Sequence, residues 1–270
     1  NESTPLIYLT PQLAHQINVA TYIHIGTTTV LIWDILDNLR NDFKLIFSFK
    51  IGLPTVLYFL TRATLLAYSL GRAVLLTTPV ENCATFQIAL NVLLVVFVSC
   101  TTCFFYIRVC AIYDLNRYII AFFGTTWLAT VAMSITFAHT FTAHHIEPTT
   151  YCTERIQGYY LGPTTAILLF NDVLIYLAIT WKVYHIFRDA ETTMGQRLKQ
   201  LVFGASLPVL SKVILQDSGL YCLMIVLTKV LLVITIARLQ PPSSIMFIIC
   251  HLVLVNIYSC RVYRNIKMRL

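Results

Sequence analysis

Long uncharged apolar runs dominate the chain, and their length of about 20 residues is what a helix needs to cross a bilayer. Hydrocarbon about 30 Å thick is crossed by such a helix at about 1.5 Å of rise per residue. We therefore expect an all-α integral membrane bundle, with seven transmembrane helices forming a single domain over residues 1–270. The predicted spans are Ile17–Leu36, Ile51–Leu76, Ala84–Ile107, Tyr118–Ala138, Leu161–Trp181, Gly219–Leu239 and Ser244–Tyr263.

The composition argues against other fold classes. Hydrophobic residues make up 57% of the chain and charged residues 11%, against about 45–50% and about 25% in a typical soluble domain. A transmembrane β-barrel would have alternating segments of roughly 10 residues, and the sequence contains none. The net charge is +7, and most of the Lys and Arg residues fall on one side of the predicted spans. This distribution indicates contact with a membrane surface, so we expect the lipid bilayer as a partner and no nucleic acid.

The distribution of Lys and Arg predicts the orientation of the bundle. Most of these residues fall on one side of the predicted spans, whereas Arg72, Arg155 and Arg238 fall on the other. Cytoplasmic connections carry the excess of positive residues, so the N-terminus is expected outside and the C-terminus inside. In the long inner connection, Thr193–Val209 suits either an amphipathic interfacial helix or an inward extension of the sixth helix. Gln240–Ser243 predicts a tight hairpin between the last two spans.

Two cysteines fall on the predicted outer side, where the environment is oxidising. Cys83 opens the third span and Cys152 lies in the connection between the fourth and fifth spans. We predict a disulfide between them; the alternative is a pair of unpaired thiols at helix ends. The sequon that begins at Asn1 lies on the same side and predicts glycosylation there.

Several ionisable side chains fall inside the predicted spans, where an unpaired charge is unfavourable. Arg62, Asp172 and Lys229 each lie about 15 Å from a span end, near the midplane. The fifth and sixth spans are consecutive, so we expect Asp172 to pair with Lys229. Arg62 would then reach about 10 Å down to Asp34 on the first helix. Such a pair either fixes the rotation of its helices or acts as a switch or cavity wall.

One part of the sequence resembles a known family. Basidiomycete fungal multi-pass proteins with a short uncharacterised N-terminal domain carry an Asp-Tyr-Leu, an acidic and basic inner loop with an aromatic residue, and an Asn-Arg-Tyr. The corresponding stretches here are Asp34–Leu36, Asn41–Phe47 and Thr61–Ala63. Asp42 stands where the family usually has Glu, and Phe47 where it usually has Trp.

Later stretches are similar to the same family: Arg108–Tyr113, Phe170–Asp172, Gln216–Tyr221 and Asn256–Asn265. The resemblance covers most of the chain. It implies a seven-helix membrane fold, and it supplies no activity and no residue with an assigned role.

Helix number, topology and the predicted disulfide favour a receptor of the G-protein-coupled type, although a fold alone does not define a function. The signature motifs of the main receptor class are missing: Asn116-Arg117-Tyr118 resembles its arginine motif but lies at the start of the fourth span, beyond the third helix. A structural or lattice-forming membrane protein and a transporter or channel are the alternatives. The receptor interpretation adds a cytoplasmic effector as a partner, and the structural one a homo-oligomer. The plasma membrane or another membrane of the secretory pathway is the expected location.

The sequence gives little indication of a bound cofactor, a metal site or enzymatic activity. A retinal protein needs a buried lysine in the seventh span, and Lys229 lies in the sixth. His139, His144, His145 and Glu147 are residue types that bind zinc, but adjacent histidines point in different directions on a helix. We therefore expect no cofactor, no bound metal and no enzymatic activity.

The topology is tested by tags placed at the two ends of the chain. Protease added to sealed vesicles of known orientation should cleave the tag before Ile17 and the tag after Leu270 from opposite sides, because an odd number of spans separates them. Cleavage of both tags from the same side would contradict the seven-span prediction.

Overall fold

The computed structural model describes residues 10–47, 51–146, 149–156, 158–197, 223–236, 238 and 246–269. Within these ranges the chain forms nine helices and one β-hairpin. In chain order they are α1 (Pro11–Asp37), α2 (Leu39–Phe47), α3 (Leu53–Thr77), α4 (Cys83–Ile112), α5 (Arg117–Ser134), α6 (Phe137–Thr140), β1 (Phe141–His145), β2 (Cys152–Ile156), α7 (Gly158–Arg197), α8 (Leu223–Ile236) and α9 (Met246–Arg269).

Local sequence signals set where several helices begin. Pro occupies the first turn of α1 and of α3, where its missing N–H is not needed. Asn82 caps α4 by accepting a hydrogen bond from the backbone N–H of Thr85 at 3.2 Å. Asn116 caps α5 in the same way, accepting from the N–H of Tyr118 at 3.0 Å. The Asn-Arg-Tyr stretch is thus the start of a helix.

Five helices of the described chain are long and apolar enough to cross a membrane: Pro11–Asp37, Leu53–Thr77, Cys83–Ile112, Leu161–Lys182 and Met246–Met268. They coincide with five of the seven predicted spans, so an all-α integral membrane protein is confirmed at this level. α5 has 18 residues and stands outside these five, as does the shorter α8. The two remaining crossings stay a prediction.

Large apolar side chains point away from the bundle, as expected for helices surrounded by lipid. Trp33 on α1 is 71% exposed, and Phe170 and Trp181 on α7 are 61% and 63% exposed. Polar side chains are buried among the apolar ones of the interior; Thr130 and Ser134 on α5 are completely buried. An apolar outer surface of this extent is not expected for a protein surrounded by water.

α4 lies at the centre of the bundle and packs against α3, α5 and α7. α9 packs against α1 and α3. The main hydrophobic core lies between these helices and the β-hairpin, with Leu65, Leu94, Phe97 and Val253 among its buried members. Apolar side chains from different predicted spans therefore form one core beside α4.

Two details differ from the sequence prediction, and three predicted features are not described. The fourth span ends at Ser134 rather than at Ala138, and the chain continues into α6. The first residues of Thr193–Val209 belong to the end of α7, so this stretch begins as an extension of the fifth helix. The remainder of that stretch, the Gln240–Ser243 hairpin and the Asn1 sequon lie outside the described residues.

The connection that contains Cys152 is an antiparallel hairpin, which the sequence analysis treated as a loop. Phe141 pairs with Ile156, and His145 pairs with Cys152. The predicted disulfide is present between Cys152 and Cys83 at the start of α4. The amide of Asn91 on α4 also donates to the carbonyl of Phe141 at 2.9 Å. The hairpin is therefore fixed to α4 covalently and by a buried hydrogen bond.

Candidate functional site

The predicted pair between the fifth and sixth spans joins α7 to α8. Lys229 Nζ lies 2.5 Å from Asp172 Oδ2. The side chains are only 13% and 10% exposed, so both charges are withdrawn from solvent and each stabilises the other. On α9, His251 Nδ1 lies 3.1 Å from the Thr228 hydroxyl, which adds a polar contact between α8 and α9.

The pair forms part of the wall of a cavity of about 80 Å³ between α4, α7, α8 and α9. Apolar side chains make up most of the lining, including Leu94 and Phe97 from α4, Leu168 from α7 and Leu232 from α8. Phe137 and Phe141 bring α6 and the start of β1 to the same wall. An apolar cavity with a few convergent polar groups is the usual form of a site for a small molecule.

Three threonines line this cavity, and their hydroxyls differ in bonding. Thr102 donates to the carbonyl of Val98 at 2.8 Å, and Thr165 donates to that of Leu161 at 2.8 Å. Thr101 is 6% exposed, and its hydroxyl has no hydrogen-bond partner among the described residues. A buried hydroxyl without a partner is unfavourable by about 1–3 kcal/mol. The oxygen of this hydroxyl is enclosed by the protein, so the cavity itself presents an almost wholly apolar surface.

Thr101 also lines a second, much smaller cavity of about 10 Å³. Tyr58 from α3 and Asn256 and Ser259 from α9 contribute to its wall. This volume is close to the minimum that holds one water molecule. Thr101 thus stands between the apolar cavity and the polar interior around Tyr58.

The second predicted pair is part of a larger ionic cluster around Arg62 on α3. Arg62 Nη2 lies 2.6 Å from Asp34 Oδ2 on α1, as expected. Arg62 Nη1 also contacts the carboxylate of Asp42 on α2, which the sequence analysis did not predict. The side chain of Arg62 is 5% exposed, so two carboxylates share one buried guanidinium. We call Asp34, Asp42, Tyr58, Arg62 and Arg264 the Arg62 cluster.

Tyr58 and Arg264 complete the cluster. The Tyr58 hydroxyl donates to Asp42 Oδ1 at 2.5 Å and accepts from Arg62 Nη1 at 2.7 Å. Arg264 on α9 donates to the same hydroxyl at 2.9 Å, and its Nη2 lies 3.8 Å from Asp34. Two carboxylates and two guanidiniums cancel in charge, so the Arg62 cluster joins α1, α2, α3 and α9 without net charge.

A third ion pair connects α3 to the hairpin. Arg72 Nη2 contacts the carboxylate of Glu154 on β2, and both side chains are less than a tenth exposed. Arg72 Nη1 also donates to the hydroxyl of Tyr68 at 2.9 Å. Arg72 and Cys152 are predicted on the same side of the membrane, and Arg72 contacts the strand that begins at Cys152.

The histidines considered for zinc are not gathered in one site. His144 and His145 are exposed neighbours on β1, His139 is exposed on α6, and Glu147 lies outside the described residues. The described cluster of metal-binding residue types consists of Cys83, His145 and Cys152. Both of its sulfurs belong to the disulfide, so they are not thiolate ligands.

The sequence predicts the buried charges but not several of their partners. Asp42 lies in a stretch that is predicted to be an inner loop, although the strongly amphipathic pattern of Leu39–Phe47 is typical of a helix. Arg264 is predicted only as part of the positive inner surface, and Glu154 is not among the predicted buried charges. Thr101 carries no signal in the sequence, because threonine is frequent throughout the spans.

Residues 22–67 match the model of a family of unknown function, DUF6533. The match confirms over this stretch the resemblance to an uncharacterised domain, while the fungal source stays a prediction. Four members of the Arg62 cluster, Asp34, Asp42, Tyr58 and Arg62, lie within the matched residues. No curated protein matches the chain.

The Asp172 and Lys229 pair is tested by a double-mutant cycle. Lys229→Met and Asp172→Asn should each lower the free energy of unfolding by about 3–5 kcal/mol, because each leaves a buried charge alone. The double variant should be more stable than either single variant. Unfolding by SDS in mixed micelles measures these differences. Lys182→Met is the control, since Lys182 faces an exposed Asp114 at 3.9 Å and should contribute less than about 1 kcal/mol. A double variant as damaged as the sum of the two losses contradicts the pairing.

The Arg62 cluster gives a second cycle. Arg62→Met leaves two carboxylates against Arg264 alone and should destabilise the fold by about 3–5 kcal/mol. Adding Asp42→Asn restores charge balance, so Arg62→Met with Asp42→Asn should be more stable than Arg62→Met. Arg40→Met, at an exposed position of α2, should change stability by less than about 0.5 kcal/mol. If Asp42→Asn adds to the damage, Asp42 is not a partner of Arg62.

Proposed function

We propose that this protein is a receptor-like, seven-helix integral membrane protein with its N-terminus outside and its C-terminus inside. In this proposal a small apolar ligand binds in the cavity between α4, α7, α8 and α9. The observation that carries the proposal is the cavity itself, since it places a buried ion pair and apolar side chains from four helices around one volume of about 80 Å³.

The elements around the cavity are suited to a change of conformation. A ligand shifts a conformational equilibrium only if it contacts one arrangement better than another. The cavity wall contains parts of α7, α8 and α9, and the Asp172 and Lys229 pair joins two of these helices. A ligand that moves α8 relative to α7 would alter this pair, and α9 would carry the change to Arg264 in the Arg62 cluster.

The alternatives differ from this proposal in what the cavity does. A transporter would bind the ligand on one side of the membrane and release it on the other. A structural protein would not require a ligand. In the receptor interpretation an effector would contact the inner surface, near α2 and the end of α9.

The proposal is tested by the thermal stability of the purified protein in nanodiscs across a library of apolar compounds. A compound that occupies the cavity should raise the melting temperature progressively with its concentration, because the stabilisation grows as RT ln(1 + [L]/Kd). Val233→Phe fills the cavity from α8 and should remove this shift, because Val233 belongs to its wall. Arg40→Met, far from the cavity, should keep it.

Two further measurements separate the alternatives. A binding compound should not be taken up by liposomes that contain the protein faster than by empty liposomes; protein-dependent uptake would support transport. Spin labels on α2 and on α9 should change their separation when the compound binds. Absence of any compound whose stabilising effect is lost in Val233→Phe would contradict the proposed ligand site.

A further inference from the structure

The short helix α2 lies at one surface of the membrane. It follows α1 and precedes α3, and both of these helices are long and apolar enough to cross a bilayer. Asp42 of α2 accepts a hydrogen bond from Tyr58, which lies about 8 Å along the axis of α3 from its start at Leu53. Interfacial helices lie about 5–10 Å deep, at the boundary between headgroups and acyl chains. The position of α2 is therefore that of an interfacial helix.

One side of α2 is buried, and another is apolar and exposed. Asp42 and Leu45 are buried against the bundle. The exposed apolar side chains recur at spacings of three and four residues, so they lie together on one face of the helix. This apolar arc consists of Leu39, Phe43, Ile46 and Phe47. The rings of Phe43 and Phe47 stack at 6.3 Å, and Phe47 is 80% exposed. The arc is therefore available to acyl chains.

A pair of cations borders the apolar arc. Arg40 and Lys44 are both exposed, and their spacing of four residues puts them on one side of α2, with Cβ atoms about 6 Å apart. Each comes directly after a residue of the apolar arc, about 100° further around the helix. Neither cation has an ion-pair partner within the described ranges. One phosphate group can therefore contact both side chains.

The charge of this surface favours an anionic partner. Asp42 is neutralised within the Arg62 cluster, so it does not offset Arg40 and Lys44. Asp37, which is exposed at the end of α1, offsets one of the two positive charges. Phosphatidylcholine has no net charge, whereas phosphatidylglycerol carries one negative charge. Each Lys or Arg near an anionic bilayer surface strengthens the attraction about fivefold.

We propose that α2 binds the headgroup of an anionic phospholipid through Arg40 and Lys44, with Phe43 and Phe47 among its acyl chains. Cations alone would also attract a soluble acidic partner. The apolar arc beside them favours a lipid, because a lipid supplies an anion and acyl chains together at the depth of α2. This site goes beyond the proposed function and does not depend on the ligand cavity.

Native mass spectrometry of the full chain in a non-ionic detergent tests the site. Dioleoyl phosphatidylglycerol and dioleoyl phosphatidylcholine are titrated separately, and the Kd of the first bound lipid is measured. Phosphatidylglycerol should bind at least tenfold more tightly. Arg40→Gln with Lys44→Gln should weaken its binding about tenfold and leave that of phosphatidylcholine within twofold. Arg40→Lys with Lys44→Arg keeps both charges and should retain the preference.

Two further variants separate the site from the general positive charge of this side of the membrane. Arg117 is exposed at the start of α5, on the same predicted side, so Arg117→Gln should change the affinity for phosphatidylglycerol less than twofold. Asp37→Asn removes the offsetting carboxylate and should strengthen binding about twofold or more. Glycerol 3-phosphate carries the phosphate without acyl chains, and it should not displace the lipid.

Several outcomes would overturn the proposal. Equal affinities for the two lipids would do so, as would a preference that survives Arg40→Gln with Lys44→Gln. An equal loss in Arg117→Gln would assign the preference to dispersed charge, and displacement by glycerol 3-phosphate would assign it to a free phosphate. If the double variant fails to fold, Lys44→Gln alone should weaken binding of phosphatidylglycerol about fivefold. An unchanged affinity in that variant would also reject the site.

Discussion

The structure depends on the pairing of charges within the bundle, and Arg62 is the clearest example. A lone guanidinium in hydrocarbon is unfavourable, so Arg62 brings carboxylates from two other helices to α3. Tyr58 and Arg264 balance the charges of the cluster and add α9 to it, whereas Nε of Arg62 has no hydrogen-bond partner among the described residues. Apolar contacts alone would not distinguish these neighbours, because lipid is as apolar as a helix surface. The ionic contacts therefore specify which helices meet.

The same rule applies at two other places in the fold. Arg72 lies about 15 Å along α3 from Arg62 and pairs with Glu154 of the hairpin. Lys229 on α8 pairs with Asp172 on α7. Each pair joins elements that are separate in sequence. α3 thus contributes two buried cations, Arg62 near its middle and Arg72 in its outer part, and the hairpin is fixed to the bundle by an ion pair as well as by the disulfide.

One residue, Thr101, lies in the wall of both cavities. Thr101 lines the apolar cavity with its Asp172 and Lys229 pair, and it also lines the small cavity beside Tyr58 of the Arg62 cluster. Thr101 is therefore a residue that the walls of the two cavities share.

The sequence by itself determined the membrane class, five of the spans, the disulfide and the pairs of Asp172 with Lys229 and of Asp34 with Arg62. These features follow from local composition and from the rule that buried charges are paired. Only the tertiary structure decided that α2 is a helix bound through Asp42, that the outer connection is a hairpin, and that Thr101 borders two cavities. A cavity and a missing hydrogen-bond partner are relations between side chains on different helices. They depend on helix rotation and packing, to which distant residues contribute jointly.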